Sequence, residues 1–347
     1  MPWLPIFRPR NLKKRSKSAP RRRRENHNLC IFALSASQRC SVFIRLRKHK
    51  LKSYRDKESV RKARVWAAEE LRAAGVDSPM LTADLMLGLV LEWDRVRVLS
   101  HPETALSPAQ LERFSDLVGR CIRGEPFQYM AGEREFYGHC FKVTPSVLIP
   151  RPETEILVEK ALELAKGLPA LALRFADVGT GSGCIAISLL LESPKFTGTA
   201  VDLSLDALRV ARENAVFHNV TERLRLVCAD LLECAPPRPF FDFILSNPPY
   251  CAEAESNTLP ATVREYEPHL ALFGGMSGLQ TVERLISQAF PRLAPGGYFL
   301  MEIGAGQSNE IARLIMESGL ELEEIAEDLQ KIPRCVVARK GSGRTHG

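Results

Sequence analysis

Residues 174–183 read RFADVGTGSG, an apolar run that ends in an acid and passes directly into a glycine-rich loop. The pattern predicts a buried strand and a tight turn, and the apolar residues 184–191 predict a helix. Gly179, Gly181 and Gly183 stand at alternate positions, which lets the backbone approach a ligand at the N-terminus of that helix. The spacing is G-x-G-x-G, whereas loops that bind a dinucleotide pyrophosphate have G-x-G-x-x-G, so a pyrophosphate is not the ligand that fits this loop best.

The alternation of strand and helix continues towards the end of the chain. Further strands are predicted at residues 199–201, 224–228, 241–245, 298–303 and 336–338, and further helices at 204–215, 281–290 and 308–317. The helix at 204–215 should place four apolar residues on one face, namely Leu205, Leu208, Ala211 and Ala215. Such succession gives a sheet of parallel strands covered on both faces. We therefore expect a doubly wound α/β domain at residues 151–340, with 341–347 as a tail.

Acidic residues end the first three strands of this predicted sheet. Asp177 ends the first, Asp202 ends the second, 23 residues after Gly179, and Asp230 follows the third. A carboxylate at the position of Asp202 can accept hydrogen bonds from both hydroxyls of a ribose. Asp230 would lie near the edge of an adenine. Together the three acids predict a nucleoside-containing ligand at the carboxyl ends of the strands.

Residues 243–250 read FILSNPPY, a strand that ends in Asn247 and two prolines. Because proline donates no N–H, the Asn247 amide and the carbonyls before and after Pro248 can all face one small NH-bearing group. Tyr250 could stack on a planar amide or on a base. A strand followed by a plain Pro-Pro turn explains the residues equally well, and the motif alone does not distinguish a base from an amide.

Residues 58–124 have helical patterning and predict a small all-α domain, either a substrate-docking element or a structural cap. Ser78-Pro79 and Ser107-Pro108 each predict an N-cap followed by a proline in the first turn. Residues 125–150 predict a β-hairpin linker. The linker leads to PRPETE at residues 150–155, in which Arg151 and Glu153 either belong to the site or simply begin a helix.

The charge of +7 is unevenly distributed. Residues 1–57 carry 18 Lys and Arg against two acids, a net of +16, whereas the remaining 30 basic and 39 acidic residues give −9. The basic segment fits a disordered arm or targeting signal. Acid depletion favours a mitochondrial presequence, the RRRR cluster at 21–24 suggests a nuclear signal, and charge alone would suit an RNA-binding arm. We expect mitochondrial targeting, with a nuclear or cytoplasmic location as the alternative.

The nine cysteines are scattered, without a CxxC pair or a Cys/His cluster at zinc spacing. We expect reduced thiols and no metal site. The longest apolar run of the basic segment, residues 29–36, is too short to cross a bilayer, so no membrane partner is expected.

Residues 177–183, Asp202 and Asp230 resemble the binding motifs of class I S-adenosylmethionine methyltransferases, and residues 247–250 resemble the motif of those that methylate amide or amino nitrogens. Other stretches narrow the resemblance to the HemK/PrmC family of protein-glutamine N5-methyltransferases, over residues 60–340. They are PFQYMAGE at 126–133, FYG at 136–138, IPRPETE at 149–155, Glu267-Pro268 with Ala271-Leu272, and Glu302-Ile303-Gly304 with Gln307. Ser277 departs from the family pattern, in which an acid is expected.

The resemblance implies a mostly parallel, seven-stranded, Rossmann-like methyltransferase sheet and S-adenosyl-L-methionine as cofactor. It implies that the acceptor is the glutamine of the Gly-Gly-Gln loop of a class I peptide-chain release factor, docked in part by the helical domain. We expect a monomer without a stable nucleic-acid partner. The implied cofactor-binding residues are Asp177, Gly179, Thr180, Gly181, Ser182, Gly183, Asp202, Asp230, Leu231 and Asn247. The implied catalytic and substrate-binding residues are Asn247, Pro248, Pro249 and Tyr250, with Arg151 and Glu153 also contacting substrate.

Two other functions remain open from the residues. A nucleic-acid adenine N6-methyltransferase would use Asn247 to bind an exocyclic amine and Tyr250 to stack on a flipped base. The acidic balance of residues 58–347 counts against it. The second is a non-catalytic cofactor-binding module, which would have no need of both Asp202 and Asn247, so the presence of both counts against it.

Overall fold

The computed structural model describes residues 58–342, so the basic segment at 1–57 and most of the predicted tail lie outside the described residues. The chain divides into two compact units after Met130. No helix among residues 58–342 is long and apolar enough to cross a membrane. In the same residues, no group of three or more His, Cys, Asp or Glu side chains could hold a metal ion, and the seven cysteines are free.

The first unit is helical. Its helices are α1 (Val60–Ala73), α2 (Pro79–Leu91), α3 (Arg95–Ser100), α4 (Pro108–Ile122) and α5 (Phe127–Ala131). Apolar residues of the longer helices, including Leu71, Leu87 and Phe114, are buried in one cluster. Helix α4 begins with a capping box, because the Ser107 hydroxyl and the Gln110 side chain each accept a hydrogen bond from the other residue's backbone N–H.

Ser78 occupies the predicted N-cap position of α2, but it does not cap the helix with its side chain. Pro79 does occupy the first turn of α2, but the Ser78 side chain makes no capping hydrogen bond and its φ is 50°. The residue before a proline is disfavoured in the right-handed α region, and Ser78 adopts the left-handed one. In that conformation its carbonyl, rather than its hydroxyl, contacts the helix and accepts hydrogen bonds from the N–H and hydroxyl of Thr82.

The second unit opens with the predicted hairpin. Strands β1 (Glu133–Phe136) and β2 (His139–Lys142) pair antiparallel. The two turn residues, Tyr137 and Gly138, both have positive φ, as a two-residue turn of the type favoured by twisted strands requires.

A seven-stranded sheet forms the centre of this unit, in the order β5-β4-β3-β6-β7-β9-β8. In this sheet β9 runs opposite to the other six strands, which all share one direction, and this confirms the predicted doubly wound, mostly parallel fold. The strands are β3 (Leu173–Val178), β4 (Phe196–Asp202), β5 (Leu224–Cys228), β6 (Phe241–Ser246), β7 (Leu293–Glu302), β8 (Glu321–Glu327) and β9 (Pro333–Arg339). The helices are α6 (Glu155–Lys166), α7 (Cys184–Glu192), α8 (Leu205–Phe217), α9 (Ala261–Tyr266), α10 (Gln280–Arg292) and α11 (Ser308–Glu317).

Two details differ from the sequence prediction. Strand β8 was not recognised because its sequence, ELEEIAE, is rich in glutamate; it is an edge strand that pairs only with β9 and exposes most of its side chains. Leu205 was placed on the apolar face of α8, but it is 60% exposed. Leu205 is the first residue of the helix, and its side chain does not pack against the sheet. The buried face of α8 is formed by later residues such as Leu208 and Ala211.

Candidate active site

The glycine loop and the Asn-Pro-Pro-Tyr motif meet where the strand order reverses. From β3 the chain proceeds outward to β4 and β5 and then returns to β6 on the opposite side of β3. The hydroxyl of Ser246 donates to the carbonyl of Val178 at 2.7 Å, which ties the ends of β3 and β6 together. A cavity of about 280 Å³ opens at these carboxyl ends. This is the position at which doubly wound sheets bind ligands.

Most of the predicted cofactor-binding residues line this cavity. They are Gly179, Thr180, Gly181, Ser182, Asp202, Asp230, Leu231 and Asn247, whereas Asp177 and Gly183 lie outside the lining. Among the predicted substrate-binding residues, the lining includes Arg151, Asn247 and Pro249. Pro248, Tyr250 and Glu153 are not part of it.

The glycine loop depends on backbone conformations that other residues rarely adopt. Gly179, Gly181 and Gly183 have φ values of 73°, 55° and 81°. At Gly183 space is also restricted, because a Cβ there would lie 3.0 Å from the Ile187 side chain and 3.3 Å from Ala211. The loop therefore presents bare backbone to the cavity while α7 packs closely against α8.

Asp202 links the ends of β3 and β4. Its Oδ2 accepts from the backbone N–H of Gly181 at 2.9 Å and its Oδ1 from that of Ser204 at 2.8 Å. Burial raises the pKa of this carboxyl, and the backbone hydrogen bonds oppose the shift. Each carboxylate oxygen can accept more than one hydrogen bond, so both oxygens remain able to bind the hydroxyls of a ribose.

Asp177 lies fully buried beneath the loop. Its Oδ2 accepts from the Thr180 hydroxyl at 2.6 Å and from the N–H of Ala186 at 3.3 Å. Its Oδ1 has no hydrogen-bond partner among the described residues. Burial raises the pKa of Asp177 to about 7. The Asp177 carboxylate therefore ties the glycine loop to helix α7.

Replacing Asp177 with asparagine should change how the stability of the cofactor-free protein depends on pH. A carboxyl whose pKa is raised by folding stabilises the protein below its unfolded pKa, and that contribution is lost as the pH rises to about 7. A pKa difference of one between the folded and unfolded states corresponds to about 1.4 kcal/mol of stability. Urea unfolding at pH 5 and pH 8 should therefore show that the variant gains stability relative to wild type at pH 8. The exposed Asp116→Asn is the matched control, and a constant difference between variant and wild type at both pH values would contradict this prediction.

Asp230 is paired with a residue that the sequence did not identify. Arg284, from α10, donates to Asp230 Oδ2 at 2.7 Å and to Glu233 at 3.2 Å, and it also lines the cavity. The pair is partly exposed, so it contributes little to stability. Its effect is to fix the Asp230 carboxylate at the cavity edge, and Leu231 follows it with a φ of 50°.

The Asn247 side chain is held by a buried hydrogen-bond chain. Asn247 Nδ2 donates to the Thr154 hydroxyl at 3.0 Å, and Thr154 donates to Glu302 Oε2 at 2.5 Å. The Tyr250 hydroxyl donates to the other oxygen of Glu302 at 3.4 Å. Thr154 and Glu302 were part of stretches that carried the family resemblance, but no role had been predicted for either residue.

Arg151 neutralises a buried acid. It donates to Glu267 Oε1 at 2.5 Å, and the N–H of Ile149 donates to the other carboxylate oxygen at 3.2 Å. The Glu267 side chain is 1% exposed, so loss of Arg151 would leave a buried charge without its partner. The pair fixes the segment that precedes Thr154. Arg151 also lines the cavity, so its remaining N–H groups can still contact a ligand.

The segment after Asn247 is held in place by two neighbouring loops. The N–H of Cys251 donates to the carbonyl of Leu272 at 3.0 Å, and Gln307 Nε2 donates to the carbonyl of Tyr250 at 3.0 Å. Ser277, where an acid was expected, donates to Gln280 Oε1 at 2.9 Å at the start of α10. The loop is thus ordered by a serine hydroxyl without the acid.

The comparisons with known proteins agree with this geometry. The family model described as PrmC N-terminal domain matches residues 62–132, and that described as methyltransferase small domain matches residues 154–277. A release factor glutamine methyltransferase from Koribacter versatilis is 43% identical over 274 residues, which are 79% of this chain and 96% of that protein. The chain belongs to the release factor glutamine methyltransferase family. A second member, from Nitratidesulfovibrio vulgaris, is 41% identical over 79% of this chain and 92% of its own.

Among solved structures, a methyltransferase from Pyrococcus furiosus resembles this chain more distantly. The two sequences are 18% identical, and the superposition covers 65% of this chain and 99% of the Pyrococcus furiosus chain with a TM-score of 0.44.

The cofactor is S-adenosylmethionine, and the residues of the cavity fit it. Gly179 and Gly181 carry no side chain and leave room for a ligand, and Asp202 offers carboxylate oxygens at the end of β4.

Proposed function

We propose that this protein transfers the methyl group of S-adenosylmethionine to the side-chain amide nitrogen of a glutamine in a class I peptide-chain release factor, within its Gly-Gly-Gln loop. Family membership supports this substrate. The observation that carries the proposal is the Asn247 carboxamide at the cavity wall, whose Nδ2 is bound to Thr154. That bond leaves the amide oxygen as the group that can accept an N–H from an incoming amide.

Asn247 and the carbonyl of Pro248 would act on the nucleophile. The nitrogen of a primary amide is a poor nucleophile because its lone pair is delocalised into the carbonyl. When these two oxygens accept both of its N–H bonds, a more tetrahedral nitrogen is favoured and its lone pair points at the methyl group. The bound cofactor supplies a methyl group on a positively charged sulfur.

Charge stabilisation would accompany the transfer. As the new N–C bond forms and the S–C bond breaks, positive charge moves onto the nitrogen, and the two oxygens stabilise it. The electron pair of the broken S–C bond would stay with the cofactor, and the acceptor nitrogen would afterwards lose a proton to solvent. No general base is needed before the transfer, so positioning and electrostatics carry the reaction.

Methylation of adenine in a nucleic acid is the second candidate. It would require Tyr250 to stack on a flipped base. The Tyr250 hydroxyl instead contacts Glu302, and the residue is not part of the cavity lining. Residues 58–347 also carry a net charge of −9, which disfavours binding to phosphates.

A labelling assay tests the proposal. Purified protein and S-adenosylmethionine labelled in the methyl group are incubated with a class I release factor whose loop glutamine is intact or replaced by asparagine. We expect label in the first substrate only, located by mass spectrometry on the glutamine side chain. Equal labelling of both substrates, or label in added RNA or DNA, would overturn the proposed acceptor.

We further propose that residues 58–124 help to dock the release factor and that the enzyme acts as a monomer. Residues 62–132 match a family model of their own, which supports a domain distinct from the methyltransferase domain and therefore free to contact the substrate protein. Light scattering should give a molecular mass near 38.8 kDa for the full chain. A mass twice as large would contradict the monomer.

Residues 1–57 are proposed to direct the protein to mitochondria. The support is compositional: the segment has a net charge of +16 and only two acids. Fusing residues 1–57 to a fluorescent protein should produce mitochondrial signal. Nuclear or diffuse cytoplasmic signal would favour the alternatives.

A further inference from the structure

A carboxamide has two ends of similar shape and opposite hydrogen-bonding character. Rotation of the Asn247 amide by half a turn would exchange an acceptor oxygen for a donor NH₂. Only the oxygen can bind an N–H of a substrate amide. Methyl transfer to such an amide therefore requires a structural feature that selects one of the two orientations.

The chain from Asn247 to Glu302 can make this selection. An ionised Glu302 only accepts hydrogen bonds, and its side chain is 2% exposed, so solvent does not replace its partners. Thr154 has a single hydroxyl proton, which it gives to Glu302 at 2.5 Å. Towards Asn247 it can then only accept, and Nδ2 is the end of the amide that lies 3.0 Å away.

Tyr250 completes this arrangement. Its hydroxyl donates to the second oxygen of Glu302 at 3.4 Å, so each oxygen has one hydroxyl donor. Because both donors point inward to the carboxylate, the polarity of the whole chain is determined by the charge on Glu302. Because Thr154 must donate to Glu302, it can only accept from Asn247, and this fixes a single orientation of the Asn247 amide.

We propose that Thr154 and Glu302 are positioning residues that orient the Asn247 carboxamide with its oxygen towards the acceptor nitrogen. This inference rests on the proposed function, because it assigns the orientation that an N–H-bearing substrate requires. Neither residue touches the reacting atoms, and both act through Asn247.

Protonation of Glu302 would reverse the chain. A neutral carboxyl could donate to Thr154, whose hydroxyl proton would then be free to bind the oxygen of Asn247 and turn the amide around. Burial raises the pKa of Glu302 to about 7, while the Thr154 hydrogen bond and the positive charge of Arg334 lower it. The acid form should therefore appear as the pH falls below about 7. The titratable and charged groups around Glu302 are Glu153, Tyr250, Arg334 and Cys335.

Substitution of Thr154 by valine is the first test. Valine keeps the shape but has no hydroxyl, so Asn247 loses its fixed partner, and we expect kcat on the release factor to fall about 10²-fold. The dissociation constant for S-adenosylmethionine, measured by calorimetry, should stay within about 3-fold of wild type, because the glycine loop and Asp202 keep their hydrogen bonds. Thr154→Ser keeps the hydroxyl and should restore most of the lost turnover. Thr197→Val, on an exposed strand position, is the matched control.

A double-mutant cycle separates positioning from a general structural role. If Thr154 acts through Asn247, then Thr154→Val should cause no further loss of kcat in an Asn247→Ala background. Multiplicative losses would overturn the inference, as would Thr154→Ser being as slow as Thr154→Val. If the wild-type enzyme fails to methylate the release factor, the proposed function is wrong; if it succeeds and the losses multiply, only the positioning role is wrong.

The pH profile tests the part played by Glu302. In the wild type, kcat should decline as the pH falls through about 7, because the amide of Asn247 loses its preferred orientation. Arg334→Gln removes a positive charge that lowers the pKa of Glu302 and should move this decline to higher pH. An unmoved profile would show that another group sets the decline and would overturn the role of Glu302.

Discussion

Replacing Asn247 with alanine should lower kcat on the release factor about 10²–10³-fold, the usual effect of removing one group that stabilises charge in a transition state. The acceptor nitrogen would lose an oxygen that binds its N–H, and the lone pair would no longer be aimed at the methyl group. Affinity for the cofactor should change little, because the glycine loop and Asp202 remain. Single-turnover kinetics with labelled cofactor, together with calorimetric binding, measure the two quantities separately.

The control for this substitution is Asn309→Ala, at an exposed position of α11. It should keep wild-type turnover. If Asn247→Ala turned over as fast as wild type, Asn247 would have no part in the reaction. A loss confined to cofactor binding would instead place Asn247 only in the cofactor site.

Asp202→Ala should have the opposite signature, a large loss of cofactor affinity with a smaller effect on the chemical step. A hydrogen bond to a charged group contributes about 1.5–3 kcal/mol, so losing the carboxylate that binds the ribose should raise the dissociation constant about 10²-fold. The N–H groups of Gly181 and Ser204 would also lose their acceptor, which loosens the loop on which the cofactor lies. Calorimetry gives the affinity, and turnover at saturating cofactor gives kcat.

The nearby exposed Asp206 is the matched control, since its carboxylate pairs with Arg209 on the surface of α8. Asp206→Ala should bind the cofactor as wild type does. Unchanged affinity in Asp202→Ala, with reduced kcat, would remove Asp202 from ribose binding and assign it a role in the transfer itself.

Regular hydrophobic patterning explains which elements were predictable. Strands β3 and β6 are mostly apolar and buried, and each is followed by a loop rich in glycine or proline, so their place in a parallel sheet followed from the sequence. Strand β8 lacks that signal because an edge strand needs little burial. The missing side-chain cap at Ser78 has a different reason: a serine at the N-cap position can still be prevented from capping with its hydroxyl by its own backbone dihedrals.

The sequence by itself determined the doubly wound fold and the chemical types in the site: a glycine loop, acids at strand ends and an Asn-Pro-Pro corner. These are local features, since each depends on neighbours only a few residues away along the chain. The tertiary structure decided how the side chains pair. Thr154 meets Glu302 across 148 residues, Arg151 meets Glu267 across 116, and Asn247 meets Thr154 across 93. Hydrogen-bond partners so distant in sequence are brought together only by the packing of the sheet and its loops, and they determine which end of the Asn247 amide faces the cavity.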